Sequence, residues 1–110
     1  MPMSEPNRID ISAVDNERGK LLLVITEHRP WDDSGEMDKQ FRAKVQAYTD
    51  YLRSPLFAER HPGRGHQDVI IQLGCRVAPS EHALALFERT RHDLQKQRVG
   101  FEHQVMAKRT

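Results

Sequence analysis

The densest gathering of reactive side chains is Glu27-His28-Arg29-Pro30-Trp31-Asp32-Asp33. A histidine beside carboxylates can serve general-base chemistry: the imidazole takes a proton and a carboxylate fixes its tautomer and orientation. On that reading His28 is the base, Asp32 or Asp33 orients it, and the reaction is hydrolytic. A plainer account uses the same residues. Asp33 at a helix N-cap places Glu36 three positions further on, an Asp variant of the capping box. Asp32, Asp33, Glu36 and Asp38 then sit at the positive end of a helix dipole. Trp31 packs over the end of the core and His28 stays at the surface. Capping accounts for the acids without chemistry, and the sequence favours it.

Other candidates are weaker. His61, His66 and Asp68 carry metal-ligand chemistry, but two histidines five apart in a Gly/Pro-rich loop, with no Cys pair and no HExxH, do not define a zinc site. His82 and His92 are not on a common helical step. Cys75 is the one cysteine, so no intramolecular disulfide can form. It falls in phase with Val69, Ile71, Leu73 and Val77, which points it into a core and away from nucleophilic use. Arg89, Arg91, Lys96 and Arg98, with Lys108 and Arg109 beyond them, suggest phosphate contacts. They are interleaved with Glu88 and Asp93 and lack an exposed aromatic pair for base stacking, which favours a solvated helix face. There is no Walker loop, GxGxxG or GxSxG. No metal or cofactor is expected.

The elements that must position these residues follow from periodicity. Residues 1–7 read as a loose leader and 107–110 as a frayed tail around one domain at 8–106. Arg8–Val14 alternates with period two, with Ile9, Ile11 and Ala13 on one face. Asp15–Gly19 is a hairpin loop. Lys20–Glu27 is a strand apolar on both faces at Leu21–Ile25, as expected of a central strand or one covered by another subunit. A helix follows from the Asp33 cap to about Arg53, with Met37, Phe41, Val45, Tyr48 and Leu52 on one face. Ser54-Pro55 ends it, and Leu56–Arg60 adds a short helical turn. Asp68–Val77 is the clearest strand. Ser80 caps a second long helix whose apolar face runs through Ala83, Leu84, Phe87, Thr90, Arg91 and Leu94, with Leu86 at its margin. Gly100 suits the C′ position, and Val99, Phe101, His103 and Val105 alternate as a last strand.

The expected fold is therefore α+β, in the order β-β-α-β-α-β. The simplest two-layer solution is a four-stranded, mostly antiparallel sheet with both helices on one face. Strand order is left open.

Arg8–Asp15, Gly19–His28, Trp31-Asp32-Asp33, Lys44–Leu52, Val69–Val77, Pro79-Ser80-Glu81 and Gly100-Phe101-Glu102 resemble a family of small uncharacterised bacterial proteins, a domain-of-unknown-function family of about 100 residues. The resemblance covers roughly Arg8 to Val105. It supports the fold and implies no activity.

Composition narrows the function classes. The 110 residues have room for one domain, and a net charge of +1 is no electrostatic signature for nucleic acid or an anionic membrane. No apolar run approaches the ~20 residues of a membrane span, and no signal-peptide core is visible, so a cytoplasmic location is expected. The leading expectation is a non-enzymatic interaction or structural domain, with the two-faced strand Leu21–Ile25 pointing to a homodimer. The alternatives are a small hydrolase at His28, Asp32 and Asp33 and, more weakly, RNA binding through the basic second helix.

Overall fold

The period-two stretches at Lys20–Glu27 and Asp68–Val77 form two adjacent strands of one sheet. The computed structural model describes residues 12–32 and 35–105. Its elements are β1 (Ser12–Asp15), β2 (Lys20–Glu27), α1 (Glu36–Arg53), α2 (Pro55–Arg60), β3 (Val69–Cys75), α3 (Glu81–Gln95) and β4 (Gly100–Val105), with a 3-10 turn at His66–Asp68 before β3. Ile9 and Ile11, read from the sequence as part of the first strand, lie outside the described residues.

The strands lie in the order β1-β2-β3-β4. Only the hairpin pair is antiparallel; β2 with β3 and β3 with β4 are parallel. The sheet is thus mixed, which corrects the mostly antiparallel expectation, and three α-helices replace the expected two. The cause of the parallel pairs is local. Each of the connections 28–68 and 76–99 carries a long helix, which returns the chain to the end of the sheet where it began, so the next strand runs parallel. Two such crossovers stepping in the same direction with the usual hand place their helices on the same face.

The register divides the side chains. Leu21, Leu23, Ile25 and Glu27 of β2 face the helices, beside Val69, Ile71, Leu73 and Cys75 of β3, and all eight are buried. Leu22, Val24 and Thr26, beside Ile70 and Gln72, occupy the other face and are half-buried. That alternation is why Leu21–Ile25 reads as apolar on both sides.

The helix faces are rotated slightly from those read in the sequence. On α1, Met37, Phe41, Lys44, Tyr48, Thr49 and Leu52 are buried, while Val45 is only half-buried. The Lys44 ammonium lies 5.3 Å from the Tyr48 ring centroid, a cation–π contact that helps a charge sit in the interior. Tyr48 satisfies its own hydroxyl by donating to the Val24 carbonyl at 2.8 Å. On α3, Leu86 is buried with Ala83, Phe87 and Leu94, whereas Leu84 is 40% exposed. Arg91 points outward as well. Sequence spacing put Leu84 on the apolar face, but Leu86, about 200° around the helix from it, is the one that packs inward. Phe41, Phe87 and Phe101 meet with centroids 5.3–6.0 Å apart and join α1, α3 and β4. Such tilted and edge-on contacts are the favoured aromatic geometries.

The helix ends are only partly as expected. Ser80 caps α3, its hydroxyl accepting from the Ala83 N–H at 3.1 Å. Helix α1, however, begins at Glu36 with Gly35 as its N-cap at φ 86°. The expected N-cap, Asp33, lies outside the described residues and two positions before Gly35. A left-handed residue immediately before the helix favours glycine, and that requirement fixes the start later than the capping-box pattern suggested. After α3 the left-handed position falls on Arg98, at φ 64°. Gly100 opens β4 instead of acting as C′, and a Cβ there would stand 3.1 Å from Ile70 Cγ1.

Candidate functional site

The end of the sheet where β2 and β3 terminate gathers the residues that first suggested chemistry. Glu27 is 2% exposed yet ionic. Arg29 makes a two-pronged contact with it, Nε to Oε1 and Nη2 to Oε2 at 2.7 Å each, and the Arg29 backbone N–H donates to the same carboxylate at 2.9 Å. Burial pushes the Glu27 carboxyl up, but the side-chain and backbone bonds from Arg29 outweigh it and hold the group below its ordinary value. Gln40 Oε1 takes a further Arg29 N–H at 2.6 Å. A carboxylate occupied in this way is a structural anchor for the turn after β2, not a poised base.

Cys75 pairs in register with Glu27 and is fully buried. Burial pushes its thiol up to about 11, against a smaller downward pull from the Trp31 indole and with a small upward push from Glu27. The indole Nε1 is itself buried and makes no hydrogen bond among the described residues. Its influence on the sulfur is therefore that of a nearby dipole. Such a thiol is protonated at neutral pH and is a poor nucleophile.

His28 is exposed beyond the end of β2, and its ring hydrogen-bonds no described residue. Asp32 is exposed too and contributes to the charge field around Arg29. Asp33 lies outside the described residues. The described residues thus do not bring His28 and Asp32 together as base and orienter.

A histidine–carboxylate contact does exist nearby, between residues whose spacing offers no reason to pair them. His82 Nε2, in the first turn of α3, lies 2.6 Å from Asp38 Oδ2 in the first turn of α1. It ties the two helix N-termini together.

The other candidates are engaged structurally. His66 Nε2 meets the Leu52 carbonyl at 3.2 Å, Asp68 accepts from the Gly65 N–H at 2.9 Å, and the His61 ring stacks 5.4 Å from Phe57. No group of three or more His, Cys, Asp or Glu among the described residues could hold a metal ion. On α3, Arg91 is paired with Glu88.

A concavity lies elsewhere, between α3 and the outer side of β4. It is an open groove of about 420 Å³ lined by Leu84, Phe87, Glu88, Arg91, Phe101, Glu102 and His103. Phe87 and Phe101 form its floor from buried positions. The His103 ring lies over Phe87 at 5.0 Å between centroids. Leu84 in the lining is 40% exposed, and Val105, further along β4 on the same strand face as Phe101 and His103, is 52% exposed. The lining has apolar width and a polar rim, but no nucleophile beside a base. Sequence patterning placed Phe101, His103 and Val105 on one strand face. It did not reveal that α3 stops short of covering the outer half of that face.

Beside the groove runs an unpaired sheet edge: among the described residues β4 bonds only to β3. Natural edges are usually guarded by charged side chains (lysine above all), proline, a bulge or brevity. Gly100–Val105 contains neither lysine nor proline, its one carboxylate, Glu102, is held by Arg18 and Gln72, and its pairing with β3 runs without a bulge.

A model of the family of unknown function DUF6572 matches residues 1–107. No curated protein and no solved structure matches the chain. No helix among the described residues is long and apolar enough to cross a membrane.

Proposed function

The chain belongs to the DUF6572 family, which carries no activity to transfer, and from its own geometry we propose that it is a non-catalytic interaction domain that binds an extended segment by strand addition. One observation carries this reading: the unguarded edge of β4 lies directly beside the apolar groove under α3. In strand addition the edge supplies main-chain hydrogen bonds, and a neighbouring groove takes every second side chain. Leu84, Phe87 and Phe101 suit apolar side chains there, and Glu88, Arg91 and His103 form the polar rim.

The test is selection from a displayed library of short peptides, followed by NMR shift mapping of a selected peptide on the labelled protein. The expected result is a set of peptides with apolar residues at alternate positions, shifting the amides of 100–105 and the α3 residues at the groove. Failure to select any peptide, or shifts confined to the turn around His28, would overturn the reading.

A further inference from the structure

Resting on that reading, we propose that the segment added to β4 is β4 of a second copy of this chain, paired antiparallel about a two-fold axis at His103. In an antiparallel pair, residues directly opposite share a face of the sheet. A two-fold axis perpendicular to the sheet must therefore pass through a residue position. Of the central positions, an axis at Glu102 would oppose two carboxylates, which is destabilising. An axis at Gln104 would overlap only the last residues of the strand.

An axis at His103 instead makes the strand complementary to itself. Phe101 meets the partner's Val105, an apolar pair on the helix-side face. Glu102 meets the partner's Gln104, a hydrogen-bonding pair on the other face. The partner's Val105 then enters the groove floored by Phe87 and Phe101, and the exposure of Val105 and Leu84 is relieved. The two sheets become one continuous sheet, and the symmetry closes the assembly at two copies.

This arrangement places His103 opposite the partner's His103. The groups facing His103 are Phe87, Leu84 and the mutually paired Glu88 and Arg91 on α3, and Leu73 beside it on β3. None offers an unshared carboxylate to a new imidazolium. Protonating both rings sets like charges side by side, so acid weakens the association.

The experiment is sedimentation velocity on the full chain at roughly 10–100 μM, a span that separates strong from weak self-association, near neutral pH and in mild acid. A dimer is expected near neutral pH and dissociation in mild acid. Val105→Lys places a guard residue on the edge at an exposed site, so the fold is kept, checked by circular dichroism, and a monomer is expected. His103→Gln is expected to dimerise in both conditions. A monomer throughout overturns the proposal, as does a dimer indifferent to Val105→Lys. A dimer lost with Val105→Lys but insensitive to pH overturns the His103 axis. A monomer that still takes selected peptides at β4 overturns only the second copy as occupant; a monomer that takes none overturns the strand-addition reading with it.

Discussion

Arg18 and Glu102, 84 residues apart in the chain, form a two-pronged ion pair: Nη1 donates to Oε2 at 2.9 Å and Nη2 to Oε1 at 3.0 Å. Arg18 sits in the hairpin turn, and Glu102 lies at the opposite side of the sheet on β4. Asp15 takes the Arg18 Nε–H, and Gln72 donates to Glu102 at 2.8 Å. By register, Asp15, Gln72 and Glu102 lie on the face away from the helices. A polar chain therefore runs across that face, and Leu22, Val24 and Ile70 are half-buried in its company. The bonds from Arg18, helped by Gln72 and opposed by burial, hold the Glu102 carboxyl below its ordinary value. This self-made cover weakens the case, drawn from Leu21–Ile25, for a partner on that face, and leaves the β4 edge as the better contact surface.

Removing Arg29 should expose the cost of the buried carboxylate at Glu27. Arg29→Ala leaves Glu27 with too few donors, at an expected loss of about 2 kcal/mol, scaled down because Arg29 itself is half-exposed. The pH dependence carries the same signature. The Glu27 pKa is lowered on folding, so its contribution is present above the unfolded carboxylate value and is lost as pH falls through the folded one. Urea titrations at several pH values check both. In Arg29→Ala burial dominates at Glu27, so its share of the acid-side decline should shrink or reverse, because protonation then relieves a buried charge.

Cys75 gives the opposite sign. Its thiol is raised from 9.0 to about 11 by burial. The unfolded chain therefore ionises first, and stability should fall as pH rises from about 9 towards 11. Cys75→Ser should leave this alkaline decline reduced. At neutral pH the thiol should react with a colorimetric disulfide reagent only when the protein is unfolded in denaturant.

Gly35 stands at φ 86°, and a Cβ built there would meet nothing within 4 Å. Any penalty for Gly35→Ala is therefore backbone strain alone, about 1 kcal/mol. Gly35→Asn should recover part of it, because Asn tolerates the left-handed region better than Ala. Thermal unfolding of the pair separates strain from lost packing.

Phe41 is fully buried and touches both Phe87 and Phe101. Phe41→Ala should cost about 3–5 kcal/mol through lost transfer energy and a residual cavity. Phe41→Leu should cost clearly less. Denaturant midpoints at unchanged slope would check both values.

Patterns that repeat within a few residues were legible in the sequence. The buried faces of β2 and β3, the Ser80 cap and the stop at Ser54-Pro55 all follow from neighbours along the chain. Strand direction did not, because the period-two signal of Val69–Cys75 is the same for a parallel and an antiparallel partner. Arg18–Glu102 and His82–Asp38 carry no spacing signal, since their geometry exists only once distant elements have docked. The choice of Leu86 over Leu84 and the late start of α1 at Gly35 fall between these cases. Local rules pointed to Leu84 and to an Asp33 cap, and tertiary packing in one case and a single backbone angle in the other decided otherwise. The groove was hidden for the same reason: it depends on how far α3 overlaps β4.

The Arg18–Glu102 pair also has a kinetic consequence. Strand β2 reaches β3 only across the connection 28–68, the longest closure in the sheet, and long-range closures slow folding. The hairpin can form locally, and β3, α3 and β4 can close over a shorter connection, but Arg18 and Glu102 lie on opposite sides of that last joint. The pair is then a clasp fastened after the rate-limiting step. Its removal by Arg18→Gln should speed unfolding and leave the refolding limb of the chevron unchanged, whereas trimming Ile71→Val on the β2–β3 ladder should slow refolding.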